Sequence, residues 1–155
     1  GTSSESFLQP DEMPARFESG NLNLPGLAGL HAASKWILEK GVETICSQIH
    51  SLTRRLLNEL KSINGVSILQ PCFETDNCGI VSFNIQNMDG REVAMILDQS
   101  FDIQSRAGLH CAPLLHETLG TISTHGAIRL SPGIFTSDEE ISSVVKAVEE
   151  IAAHA

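Results

Sequence analysis

The chain has 155 residues, 41% of them hydrophobic and 19% charged, and carries a net charge of −9 from 19 acidic and 10 basic residues. That length supports one sizeable core plus a short extra segment. Apolar runs break well before membrane-spanning length, no secretory pattern is visible, and basic residues are too few to track phosphates, so neither a membrane nor a nucleic-acid partner is expected.

Residues 1–23 hold Pro10, Pro14 and Gly20-Asn21 with no sustained apolar period, which predicts an irregular stretch. Pro25 suits the first turn of a helix, with Leu27, Leu30, Ile37 and Leu38 on one side and Gly41 as its stop. A second helix follows, apolar at Val42, Ile45, Cys46, Ile49, Leu52, Leu56, Leu60 and Ile63, and Asn64-Gly65 closes it. Residues 66–70 and 79–85 read as strands, the second alternating Ile80, Ser82 and Asn84 against Val81, Phe83 and Ile85. Asp89 caps a third helix containing Val93, Ile96 and Leu97; residues 101–106 read as a short strand, and residues 113–119 as a short helix. Residues 126–130 form a last strand, and Ser137 or Asp138 starts a closing helix through Ile141, Val144, Val145, Val148 and Ile151. This order predicts a two-layer α/β (α+β) domain with helices on a small mixed or antiparallel sheet.

Chemistry concentrates in Arg106-Ala-Gly-Leu-His110-Cys111-Ala-Pro113, just after a strand. A thiol reacts as its thiolate, and neighbouring positive charge favours that form. The competing reading is a small buried hydrophobe, the commonest fate of a free cysteine. Cys46 falls on the apolar face of its helix and reads as core; Cys72 and Cys78 flank Phe73-Glu-Thr-Asp-Asn in a hairpin connection and read as surface or edge positions. His110, Cys111, His116 and His125 have metal-ligand chemistry, but their spacing matches no zinc framework, and no metal is expected. Arg129 interrupts the apolar strand before Ser131-Pro132, where a guanidinium either snorkels or grips a carboxylate. The absence of a disulfide-like cysteine pattern suits a reducing, cytoplasmic setting.

Taken together, Arg106-x-Gly-x-His110-Cys111-Ala, Arg129-Leu-Ser131 followed by Phe135-Thr136, and Arg16-Phe-Glu-Ser-Gly20-Asn-Leu-Asn23 resemble the C-terminal part of class V aminotransferase-fold enzymes. Within these the resemblance is to the cysteine desulfurase and selenocysteine lyase branch. It implies the small C-terminal domain of the type I pyridoxal-phosphate-dependent transferase fold. Residues 1–24 would be a loop belonging to a large cofactor domain, 25–64 interdomain helices, and 65–155 the small domain. It implies pyridoxal phosphate as cofactor, L-cysteine or L-selenocysteine as substrate, a homodimer, and a protein that accepts the sulfur. Cys111 would take the sulfur as a persulfide, Arg129 would hold the substrate carboxylate, Arg106 would support charge beside it, and His110 would carry a proton. Asn21 stands where relatives show Thr, facing the phosphate of the partner subunit's cofactor. The cofactor lysine has no counterpart: Lys35, Lys40, Lys61 and Lys146 all fall within predicted helices. The chain alone is therefore expected to be inactive. Two alternatives stay open: a class V aminotransferase or lyase that does not use Cys111, and a non-catalytic binding or dimerisation module.

Overall fold

A computed structural model describes residues 5–18, 20–69 and 79–155. Cys72 and Cys78 lie outside the described residues. The chain divides into two compact units, Gly1–Val42 and Glu43–Ala155.

In the first unit, the described residues before Asn23 make turns and bends and no helix or strand. Helix α1 (Leu24–Lys40) begins where the Asn23 side chain accepts a hydrogen bond from the Gly26 N–H, with Pro25 in the first turn. It ends where Gly41, at φ 84°, donates its N–H to the Ile37 carbonyl. No residue of α1 is buried.

The second unit is built on a four-stranded antiparallel sheet. Its strands are β1 (Val66–Ile68), β2 (Val81–Ile85), β3 (Arg106–Gly108) and β4 (Ala127–Leu130), in the order β1-β2-β4-β3. Helices α2 (Val42–Lys61), α3 (Gly90–Phe101), α4 (Pro113–Thr118) and α5 (Asp138–Ala153) complete it. Strand alternation sends Val81, Phe83 and Ile85 of β2, and Ile128 and Leu130 of β4, into one core. There they meet Leu52, Leu56 and Leu60 of α2, Val93 and Leu97 of α3, and Ile141, Ala147, Val148 and Ile151 of α5. The leucines of α2 recur every four residues, so one stripe of that helix faces the sheet.

Caps fix where the helices start. The Asp89 carboxylate accepts from the Arg91 N–H at the head of α3. At α5, Ser137 and Glu140 form a reciprocal capping box. The Arg55 guanidinium, half-buried on α2, bonds Glu59 at 2.7 Å, Asp138 at 2.6 Å and Ser142 at 2.7 Å, tying α2 to the start of α5.

Two expectations are corrected. Residues 101–106 are not a strand: α3 runs on to Phe101, Asp102 ends it in the left-handed region at φ 55°, and the strand forms only at Arg106–Gly108. Asp is among the few residues that tolerate that conformation, so the helix can stop there without glycine. Cys46 is exposed rather than core, because the part of α2 that is buried starts only at Leu52.

Candidate functional site

On the sheet face opposite the core, Arg129 of β4 pairs in register with Ser82 of β2 on one side and Arg106 of β3 on the other. In-register residues on neighbouring strands share a face, so two guanidinium side chains and a hydroxyl lie in one row. Like charges directly opposite each other are destabilising, and such a pair is relieved by an anion. Among the described residues the buried Arg129 Nε has no hydrogen-bond partner. A buried donor left unmade costs about 1–3 kcal/mol, more for a charged group, which fits a guanidinium shaped for a planar bidentate acceptor.

The chain leaves β3 through Gly108 (φ 114°) and enters a tight reversal in which His110 (φ 51°) and Cys111 (φ 59°) are both left-handed. Each such residue costs about 1–3 kcal/mol of strain, sustained only where surrounding structure holds it. The reversal presents Cys111 as an exposed thiol, with its sulfur 3.8 Å from Arg106 Nη2. Any negative charge that develops on that sulfur therefore faces a guanidinium.

His110 is half-buried, and its Nε2 lies 3.2 Å from the Arg106 carbonyl. A carbonyl can only accept, so Nε2 carries the proton and Nδ1 keeps its lone pair. Burial holds the His110 pKa below 6.5, and the charges of Arg129 and Arg106 push the same way against the raising effect of that hydrogen bond. The imidazole is thus neutral at pH 7 and available as a proton acceptor.

Behind the reversal lies a polar network that the sequence did not reveal. His116 of α4 is buried, with its Nδ1 2.7 Å from the Thr121 hydroxyl and its ring edge-on to His110 at 5.9 Å. Thr121 Oγ1 also lies 3.3 Å from the His116 carbonyl. Thr124 Oγ1 donates toward the Thr121 and Gly126 carbonyls, and the Asn84 amide of β2 donates to Gly126 O at 3.0 Å and Thr124 Oγ1 at 3.3 Å. In sequence His116 registers only as a metal-ligand type, because a lone His in a six-residue helix carries no periodic signal. Asn84 does carry one: it falls on the polar side of the β2 alternation.

Among the described residues no group of three His, Cys, Asp or Glu could hold a metal ion, so His110, Cys111, His116 and His125 form no such cluster. His125 instead pairs with Asp89 at 2.9 Å. The structure thus brings Cys111, His110, Arg106 and Arg129 together. Asn21 is exposed in the first unit, in the irregular stretch before α1. All four lysines are exposed on helices α1, α2 and α5. None offers the buried amine that would hold the pyridoxal phosphate implied by the resemblance.

The chain is similar to known proteins over most of its length. A probable cysteine desulfurase of Methanothermobacter thermautotrophicus is 36% identical over 151 residues, which cover 96% of this chain and 37% of that protein. The apo structure of a cysteine desulfurase from Thermococcus onnurineus superposes with a TM-score of 0.81 at 32% identity, covering 92% of this chain and 34% of that one. A cystine C–S lyase, solved in complex with its reaction product cysteine persulfide, shares the fold with a TM-score of 0.67 at 22% identity, covering 88% of this chain and 32% of its own. The chain therefore spans about a third of the length of the curated relative and of the two solved structures. The family model for aminotransferase class-V matches residues 3–144, and the chain belongs to that family.

Proposed function

We propose that this chain supplies the sulfur-accepting, C-terminal part of a pyridoxal-phosphate-dependent cysteine desulfurase, with Cys111 as the acceptor. The observation that carries the reading is the Arg106–Cys111 contact at 3.8 Å, made on the sheet face where Arg129 stands in register with an unpartnered, buried Nε. In this reading residues 1–24 lie over a large cofactor domain, residues 25–64 bridge the domains, and residues 65–155 form the small domain. Asn21 would then reach the cofactor phosphate of the partner subunit in a homodimer.

Pyridoxal phosphate, when bound, supplies an electron sink next to the substrate's reacting carbon. Arg129 binds the α-carboxylate of L-cysteine bidentately, which fixes where the substrate sulfur lies. The Cys111 thiolate attacks that sulfur. A sulfur–sulfur bond forms as the carbon–sulfur bond breaks, leaving a persulfide on Cys111. The carbon keeps the electron pair and takes a proton, so the released product is alanine and no outside oxidant or reductant enters. His110, neutral with Nδ1 free, receives the thiol proton and can return it to carbon. Arg106 faces the sulfur while it carries negative charge. The exposed position of Cys111 lets a sulfur-acceptor protein collect the persulfide. Selenocysteine fits the same carboxylate grip and the same nucleophile.

The test is alanine release from L-cysteine with added pyridoxal phosphate. It is run on this chain, on the chain extended upstream in its own reading frame, and on the extended chain carrying Cys111→Ala. Alanine from the unmutated extended chain, lost with Cys111→Ala, supports the proposal. Persistence after Cys111→Ala would instead favour an aminotransferase or lyase that leaves Cys111 idle. Turnover by the 155-residue chain alone would show that one of its four lysines can hold the cofactor.

A further inference from the structure

We propose that His116 is a positioning residue for the thiol-bearing reversal, holding Cys111 beside Arg106 through its buried hydrogen bond to Thr121 and its ring contact with His110. The inference rests on the proposed role of Cys111 and adds to it a residue that touches none of the reacting atoms.

Three observations converge on it. First, two successive non-glycine residues, His110 and Cys111, sit in the left-handed region, so the reversal does not hold itself and needs an external brace. Second, His116 is 4% exposed, and a polar ring that deeply buried needs a hydrogen-bond partner. That partner is Thr121 at 2.7 Å, and from Thr121 the bonding continues through Thr124 and Gly126 to Asn84 on the central strand β2. Third, the His116 ring meets His110 edge-on at 5.9 Å, and the Ala112 carbonyl, next to Cys111, accepts from the His116 N–H at 3.2 Å. A continuous set of contacts thus runs from the sheet to both sides of the thiol.

The direction of the effect follows from exposure. Cys111 is already open to solvent, so loosening the reversal cannot give a reagent better access. What loosening can take away is the guanidinium 3.8 Å from the sulfur. Weakening the His116–Thr121 link therefore slows Cys111 as a nucleophile.

The experiment follows alkylation of Cys111 by iodoacetamide in the 155-residue chain, peptide by peptide, with the exposed Cys46 as internal reference. Thr121→Val removes the hydroxyl at nearly constant volume. His116→Phe keeps a ring and removes both nitrogens, whereas His116→Asn keeps a donor near the position of Nδ1. The Cys111-to-Cys46 rate ratio at pH 7 should fall about threefold or more in Thr121→Val and His116→Phe. His116→Asn should recover at least about half of the lost ratio, because the bond to Thr121 survives. A merely structural role would lower the unfolding temperature in these variants and leave the ratio unmoved. An unchanged or raised ratio in Thr121→Val overturns the proposal, as does a His116→Asn ratio no better than that of His116→Phe. If His116→Phe does not fold, Thr121→Val against His116→Asn decides. Failure of the desulfurase reading would appear in alanine release with Cys111→Ala and would not alter the alkylation ratios.

Discussion

Replacing Gly126 by Ala should disturb the sheet at the one point where it governs the thiol. Gly126 opens β4 with φ 101°, and a Cβ built there falls 2.2 Å from the Gly108 carbonyl oxygen, where real Cβ atoms essentially never come closer than 3.0 Å. The Gly108 carbonyl is backbone in β3, so relief needs a shift of at least 0.8 Å in a strand that is only three residues long. The left-handed conformation costs an alanine about 1–2 kcal/mol, and forcing the strands apart adds about 1–3 kcal/mol. Gly120→Ala supplies the control: its φ is 69°, with nothing within 4 Å of the added carbon, so it carries the conformational cost alone. Urea unfolding followed by far-UV circular dichroism should thus place Gly126→Ala about 1–3 kcal/mol below Gly120→Ala. Equal losses for the two variants would mean that β3 does not crowd the start of β4, and the placement of Arg106 and Cys111 relative to Arg129 would have to be redrawn.

Phe83→Ala, at a side chain with no exposure, should cost about 3–5 kcal/mol in the same unfolding assay, far more than Arg91→Ala on the exposed face of α3. Asp89 is held well below the usual carboxylate range by its hydrogen bonds from Arg91, so its contribution is present above the unfolded-state value and lost as pH falls through the lower folded one. Asp89→Asn keeps the cap acceptor but not the charge, and its urea midpoint should fall less steeply than the wild type's below about pH 4. His110 titrates below 6.5 because of its burial, so the unfolded chain takes up that proton first, and stability declines as pH drops from 6.5 toward the folded value. His110→Gln, which can still donate to the Arg106 carbonyl, should flatten that part of the pH–stability curve; an unchanged slope would refute the assignment.

Much of this architecture can be read in the sequence because local chemistry and burial agree there. The four-residue spacing of Leu52, Leu56 and Leu60, the alternation around Phe83, and the capping residue at Ser137 or Asp138 each announce an element that the structure contains. The register of β3 is hidden, since nothing local distinguishes Phe101 as the end of a helix from Phe101 as the start of a strand. The left-handed Asp102 decides the matter, and the packing of α3 against the sheet sets where it falls. In the same way the Arg106-to-Cys111 segment stands out by composition, and the resemblance it carries points to Arg129. That Arg129 and Arg106 face each other depends on β3 and β4 becoming neighbours, a long-range pairing that spacing does not encode. The His116–Thr121–Thr124–Asn84 network is invisible for the same reason: four ordinary polar residues become one brace only after the sheet has formed.

The last helix has a consequence for how the protein is made. Residues Ile141, Ala147, Val148 and Ile151 of α5 complete a core whose other walls come from α2, α3 and the sheet, and Arg55 locks α2 and α5 together across more than eighty positions of chain. During synthesis α2 leaves the ribosome well before α5, and its leucine stripe stays uncovered until residue 151 has followed. Closure of this unit therefore waits for α5 rather than being spread along the chain, and the waiting leucines are a natural substrate for a chaperone that shields apolar helices.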